Sequence, residues 1–194
     1  ERHKNHILFS LNMDIKKRKL VMRYFLIFSI LFVVIISMKS LRRLFFLFIF
    51  VLINFIFGSI KRRIPKYGLG RYFIGFELIM FCTILTSYMF DSILGAFMGA
   101  VLMIVNYIAE RRFSPYFIVT ITLYSVIGYI AGMLSLNIVT VGILSTIIYN
   151  LLSDILVFQI GANKKTIFFF NIVNIAFNTL LFSLLGEIAY NYLV

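Results

Sequence analysis

Three carboxylates lie within strongly apolar runs of this sequence: Glu77, Asp154 and Glu187. A carboxylate at the centre of a bilayer costs roughly 2.5–3.5 kcal/mol on insertion scales, so one found there usually faces other helices or a cavity. Glu187 stands at the end of the last run, where an interfacial position explains it. Glu77 and Asp154 lie further inside and are candidate solute contacts, although Glu77 is explained equally well by a side chain that reaches the lipid headgroups.

Two groups of polar residues recur at helical spacing in the last third of the chain. Asn150 and Asp154 are four residues apart, and Asn171, Asn174 and Asn178 follow at i, i+3 and i+7. Each set therefore lies on one helix face. If the two faces meet, they predict a polar pocket that hydrogen-bonds a small solute. The alternative is bonding between helices, where such contacts contribute about 0.6–2 kcal/mol each.

No constellation of an enzyme is found in the sequence. His3 and His6 lie in the polar N-terminal tail, and Cys82 is the only cysteine. There is no nucleophile motif, phosphate-binding loop or cluster with metal-ligand spacing. We therefore expect neither enzymatic activity nor a cofactor nor a bound metal.

The composition places these residues in a membrane protein. Hydrophobic residues make up 62% of the 194 residues and charged residues 13%, and the mean hydropathy is +1.01. Soluble domains carry about a quarter charged residues. The net charge of +12 comes from short basic clusters between apolar runs, which is typical of loops that flank membrane spans and argues against nucleic-acid binding.

Seven apolar runs are long enough to cross the bilayer as helices, and none shows the alternation of a barrel strand. They predict an all-α polytopic membrane protein of about seven transmembrane helices. The runs cover residues 20–38, 44–60, 72–90, 93–109, 115–134, 138–160 and 167–187.

The first run differs in its surroundings from the other six. It has the charged start of a signal peptide, but no small-residue cleavage site follows, so an uncleaved anchor helix is the better interpretation. The predicted organisation is a basic cytoplasmic tail at 1–19, an anchor helix with a basic linker at 20–43, and a six-helix membrane core at 44–194.

The distribution of basic residues predicts the orientation of the chain. If all seven runs span the membrane, sixteen of the nineteen Lys and Arg residues fall on one side. Basic loops stay in the cytoplasm. This predicts a multi-pass protein of the cell membrane with a cytoplasmic N-terminus and an external C-terminus.

Small residues at a spacing of four predict close helix packing. Gly95 and Gly99 form one such pair, and Gly128 and Gly132 form another. Small residues at this spacing let two backbones approach closely. They indicate that the fourth and fifth runs pack against protein.

These glycine segments also carry a family resemblance. The stretch FDSILGAFMGA at 90–100 resembles a segment that opens a core helix in the S components of energy-coupling-factor vitamin transporters, and GYIAGM at 128–133 is similar to one of their helix ends. The MreD rod-shape proteins are similar in pattern. The resemblance covers about three-quarters of the chain, from residue 44 onward.

The resemblance implies a six-helix S-component-like core and a subunit that binds or translocates a small, vitamin-like solute. The implied site is lined by Glu77, Asn150, Asp154, Asn171, Asn174 and Asn178. Partners would be the lipid bilayer and other membrane subunits, either a coupling subunit or a wall-synthesis complex. The alternative is an MreD-like scaffold without a solute site, in which the same polar residues only join helices.

Overall fold

The structure of the chain is a computed structural model. It describes residues 17, 20, 22–27, 29, 39–64, 75–111, 113, 115–161 and 164–193. The chain divides into two compact units, Glu1–Phe45 and Phe46–Val194. In the first unit, residues 22–27 are helical and exposed. The predicted tail at 1–19 and anchor helix at 20–38 lie largely outside the described residues.

From residue 39 onward, every regular element of the described chain is helical. The last three elements follow one another without a break, so that a π-helical turn joins two α-helices. The elements are α1 (Lys39–Arg63), α2 (Ile79–Met89), α3 (Ser92–Glu110), α4 (Phe117–Met133), α5 (Ile138–Gln159), α6 (Lys164–Leu181), the π-turn (Phe182–Gly186) and α7 (Glu187–Leu193).

The predicted all-α membrane fold is confirmed. Four described helical stretches are long and apolar enough to cross a membrane, namely Leu41–Arg63, Ser92–Glu110, Ile138–Gln159 and Ile167–Leu193. Helices α2 and α4 are apolar but shorter. The protein is therefore an all-α polytopic membrane protein.

The prediction of a span-length helix over 72–90 is wrong. Helix α2 begins only at Ile79, and residues 75–78 before it are not α-helical. Backbone of this kind is tolerated at membrane depth when it is buried in protein that supplies its hydrogen bonds. Here the Asn174 side chain donates from Nδ2 to the carbonyl oxygen of Gly75 at 3.1 Å.

Helix α2 is the centre of the core. Ten of its eleven residues are buried, and it contacts α3, α4, α5, α6, the π-turn and α7. A helix that is apolar on all sides requires such surroundings. Asp91 begins the next helix directly, because its Oδ1 accepts the backbone N–H of Leu94 at 2.8 Å. This tight turn makes α2 and α3 antiparallel neighbours.

Helices α3 and α4 approach at their glycines. A Cβ atom built on Gly128 would lie 2.5 Å from the carbonyl oxygen of Gly95, and one built on Gly99 would lie 2.5 Å from that of Tyr124. Gly132 is similarly close to the backbone of Ser92. The two backbones therefore touch, with no room for side chains between them.

The π-turn adjusts the last helix to its neighbours. Phe182 is fully buried, packs against Phe81 at a ring-centroid distance of 5.1 Å, and fills the space beside Gly142 on α5. Beyond the turn, Asn137 donates from Nδ2 to Glu187 Oε1. The last helix thus runs antiparallel to α5 along its length.

Candidate functional site

The two predicted polar faces of α5 and α6 meet in the structure. Asn150 donates from Nδ2 to Asn174 Oδ1 at 3.0 Å, and Asn171 donates from Nδ2 to Asp154 Oδ2 at 2.6 Å. The exposed fractions of Asn150 and Asn174 are only 1% and 0%. The spacing therefore identified helix faces that do pair. We call these four residues, together with Asn178, the amide stripe.

Most donors in the amide stripe are used within the protein. Asn150 also donates to the carbonyl oxygen of Thr146 at 2.7 Å, and Asn178 donates to that of Asn174 at 3.0 Å. Asn174 joins three segments, because its amide contacts both α5 and Gly75. The acceptor oxygens Oδ1 of Asn150 and Asn178 have no hydrogen-bond partner among the described residues. The contacts favour a role in joining helices.

This role predicts measurable coupling between Asn150 and Asn174. We expect Asn150→Leu and Asn174→Leu each to lower the free energy of unfolding by about 1–2 kcal/mol, because each leaves a buried amide without its partner. The double variant should lose less than the sum, with a coupling energy of about 0.6 kcal/mol. Unfolding of purified protein in mixed micelles measures all four forms. Asn191→Leu, at an exposed position of α7, is the control. Strictly additive losses would contradict the bond.

A second polar site lies at one end of the core and contains three charged side chains. Lys61 Nζ, near the end of α1, lies 3.0 Å from Glu110 Oε1 at the end of α3. The same nitrogen lies 3.6 Å from Oε1 of Glu77, just before α2. The exposed fractions of the Lys61 and Glu77 side chains are 7% and 8%. We call these three residues the charged cluster.

Uncharged side chains also donate hydrogen bonds to both carboxylates. Asn106 donates from Nδ2 to Glu110 Oε1 at 3.2 Å, and the buried Tyr124 donates its hydroxyl to Glu77 Oε2 at 2.9 Å. The ring of Tyr124 lies 4.4 Å from that of Tyr149 on α5. Four elements of the fold thus hold the cluster and its contacts in one arrangement.

The charged cluster carries more negative than positive charge. Two carboxylates and one ammonium give a formal charge of −1 when all three are ionised. Burial makes an uncompensated charge unfavourable, so such a site has affinity for a proton or a cationic group. Among the described residues, no three His, Cys, Asp or Glu side chains come together as a metal site.

Comparisons with known proteins leave the family of this chain open. No protein family model matches it, and neither does any curated protein or solved structure.

Only one member of the charged cluster was predicted from the sequence. Glu77 was a candidate because it is a carboxylate within an apolar run. In the structure it lies just before α2 and is buried. Lys61 and Glu110 belong to basic or polar ends of runs, where exposure is the ordinary expectation. A signal that could have identified them is that each lies at the end of an apolar run. In a chain of helical hairpins, the ends of alternate helices lie on the same side of the core.

Proposed function

We propose that this protein is an integral membrane subunit that binds or translocates a small solute, and that the charged cluster lies on the path of that solute. The observation that carries the proposal is the contact of the buried Lys61 and Glu77 side chains with each other and with the partly buried Glu110. Ionisable groups inside a membrane protein are energetically costly, and they commonly mark pathways for substrates or ions.

The charged cluster supports this function better than the amide stripe does. The stripe is occupied by its own amide-to-amide and amide-to-carboxylate bonds. The cluster contains two carboxylates that share one ammonium. A solute that brings a further positive charge or a proton would neutralise the remaining negative charge.

A screen for stabilising solutes tests the proposal. Purified protein in lipid nanodiscs is heated with a panel of vitamins, amines, amino acids and sugars, and its apparent melting temperature is followed. A solute that binds only the folded protein at a hundred times its Kd should add about 2.7 kcal/mol of stability. We expect at least one member of the panel to raise the melting temperature.

The variant Glu77→Gln links such binding to the charged cluster. Glutamine keeps an oxygen that accepts the Tyr124 hydroxyl, but removes the charge. We expect it to weaken solute binding or transport by about tenfold or more, while the protein still elutes as a folded species in size-exclusion chromatography. Unchanged binding and transport in this variant, or a panel without any stabilising solute, would contradict the proposal.

The second candidate is a scaffold of the MreD type, and the direct pairing within the amide stripe favours it. Helix α1 also leaves many large apolar side chains exposed, including Phe48, Leu52, Phe55 and Ile56. Such a face fits lipid or another membrane subunit. Copurification of a coupling subunit would favour the solute carrier, whereas copurification of a wall-synthesis protein without solute binding would favour the scaffold.

A further inference from the structure

A small open cavity lies at the end of the core opposite the charged cluster. Its volume is about 300 Å³, at the lower limit of ordinary ligand pockets. Helix α2, which is about 16 Å long, separates the two sites. The cavity is lined by the α2–α3 turn and the end of α4, through Ser87, Tyr88, Phe90, Asp91, Ser92, Gly132 and Leu134.

The formal charge of the cavity lining is negative. Asp91 is exposed and is the only ionisable carboxylate among the lining residues. Its Oδ1 caps α3 by accepting the backbone N–H of Leu94. Glu187, which accepts from Asn137 beside the start of α5, is a carboxylate outside the lining.

Helix dipoles add to this negative potential. The cavity is lined by the last turn of α2, with its C-cap Phe90, and by the last turn of α4, with its C-cap Leu134. Carbonyl groups at helix C-termini attract cations. The N-terminus of α3 would attract an anion, but the Asp91 carboxylate already occupies it.

Aromatic and hydroxyl groups complete a lining suited to an ammonium group. Tyr88 and Phe90 supply aromatic rings, a side-chain type that attracts cations. The Tyr88 hydroxyl donates to the carbonyl oxygen of Leu136 at 2.8 Å, and that of Ser87 donates to Gly128 at 2.7 Å. These bonds hold α2 against α4 and against the loop that follows α4.

We infer that this cavity binds the ammonium group of a small cationic organic solute, with Asp91 as its counter-ion. The inference rests on the proposed function and adds the charge class of the solute. It agrees with the formal charge of −1 in the charged cluster, because the side chains of each site, taken by themselves, have one negative charge in excess.

A series of probes that differ in charge tests the inference. Cadaverine, pentanediol and glutarate have five-carbon chains with cationic, neutral and anionic ends, and all are small enough for the cavity. We expect cadaverine to stabilise the wild-type protein in nanodiscs and to bind about tenfold more tightly than pentanediol, with no binding of glutarate. Equal or tighter binding of the neutral or anionic probe would overturn the charge class, while the proposed function would stand.

The variant Asp91→Asn locates the binding. Asparagine is as good an N-cap as aspartate, so the variant should fold. We expect it to weaken cadaverine binding about tenfold, whereas Glu187→Gln removes a charge that lies outside the cavity lining and should have a much smaller effect. Binding that survives Asp91→Asn would overturn the cavity as the site. If no solute of any charge binds the wild-type protein, the proposed function fails and this inference fails with it.

Discussion

Replacing Lys61 with methionine should strongly destabilise the protein. The substitution keeps an unbranched side chain but leaves the buried Glu77 and the partly buried Glu110 near each other without their shared cation. Removal of one partner from a buried ion pair typically costs about 3–5 kcal/mol. We expect a large fall in the apparent melting temperature of Lys61→Met in nanodiscs at neutral pH.

A second substitution and a neighbouring control make this result specific. Adding Glu110→Gln to Lys61→Met removes one of the stranded charges and should recover part of the lost stability. Arg62→Met changes the adjacent, exposed cation and should alter the free energy of unfolding by less than about 0.5 kcal/mol. If Lys61→Met is as stable as Arg62→Met, the three charged side chains do not form the buried cluster described above.

Replacing Gly128 with alanine should also have a large effect, through packing. The new methyl group would lie 2.5 Å from the Gly95 carbonyl oxygen and 2.8 Å from Thr83 Cγ2. Backbone cannot give way as a flexible side chain does, so α3 and α4 must move apart. Inserting one methyl group into a tight core typically costs about 1–3 kcal/mol, and we expect the upper part of that range.

Gly186 provides the matched control for this prediction. It is also a buried helical glycine, but a Cβ atom there would come no closer than 3.4 Å to Val139 Cγ2, an ordinary contact. We expect Gly186→Ala to be neutral or slightly stabilising, because alanine favours helix more than glycine does. Thermal unfolding of both variants in the same detergent compares them. Equal stability of the two would contradict the close approach of α3 and α4.

The amide stripe shows which part of the site helical periodicity predicts from the sequence alone. Spacings of three, four and seven residues place side chains on one helix face whatever the surroundings, so Asn150 and Asp154 could be assigned to one face and the three asparagines of α6 to another. Whether the faces meet around a solute or against each other depends on the distance between helices. The structure gives hydrogen bonds of 3.0 Å and 2.6 Å between them.

The charged cluster was accessible to sequence reasoning only in part. Glu77 is conspicuous in an apolar run, but Lys61 and Glu110 lie 16 residues before it and 33 residues after it in the chain. Their meeting depends on α1 and α3 ending at the same side of α2, which no local pattern records. The cavity around Asp91 was likewise not predictable from local sequence, because its lining comes from the ends of α2, α3 and α4.

The amino-acid sequence by itself determined the membrane class, the helical character and the positions of four long spans, because hydropathy and helical periodicity are properties of consecutive residues. The two-residue gap between the apolar runs 72–90 and 93–109 also marked the position of Asp91. The tertiary structure alone decided that the third run is shortened to α2, since residues 75–78 are not α-helical and the carbonyl oxygen of Gly75 accepts from Asn174 of another helix. It likewise decided which carboxylates share Lys61, because burial and pairing of charges depend on neighbours that are distant in the chain.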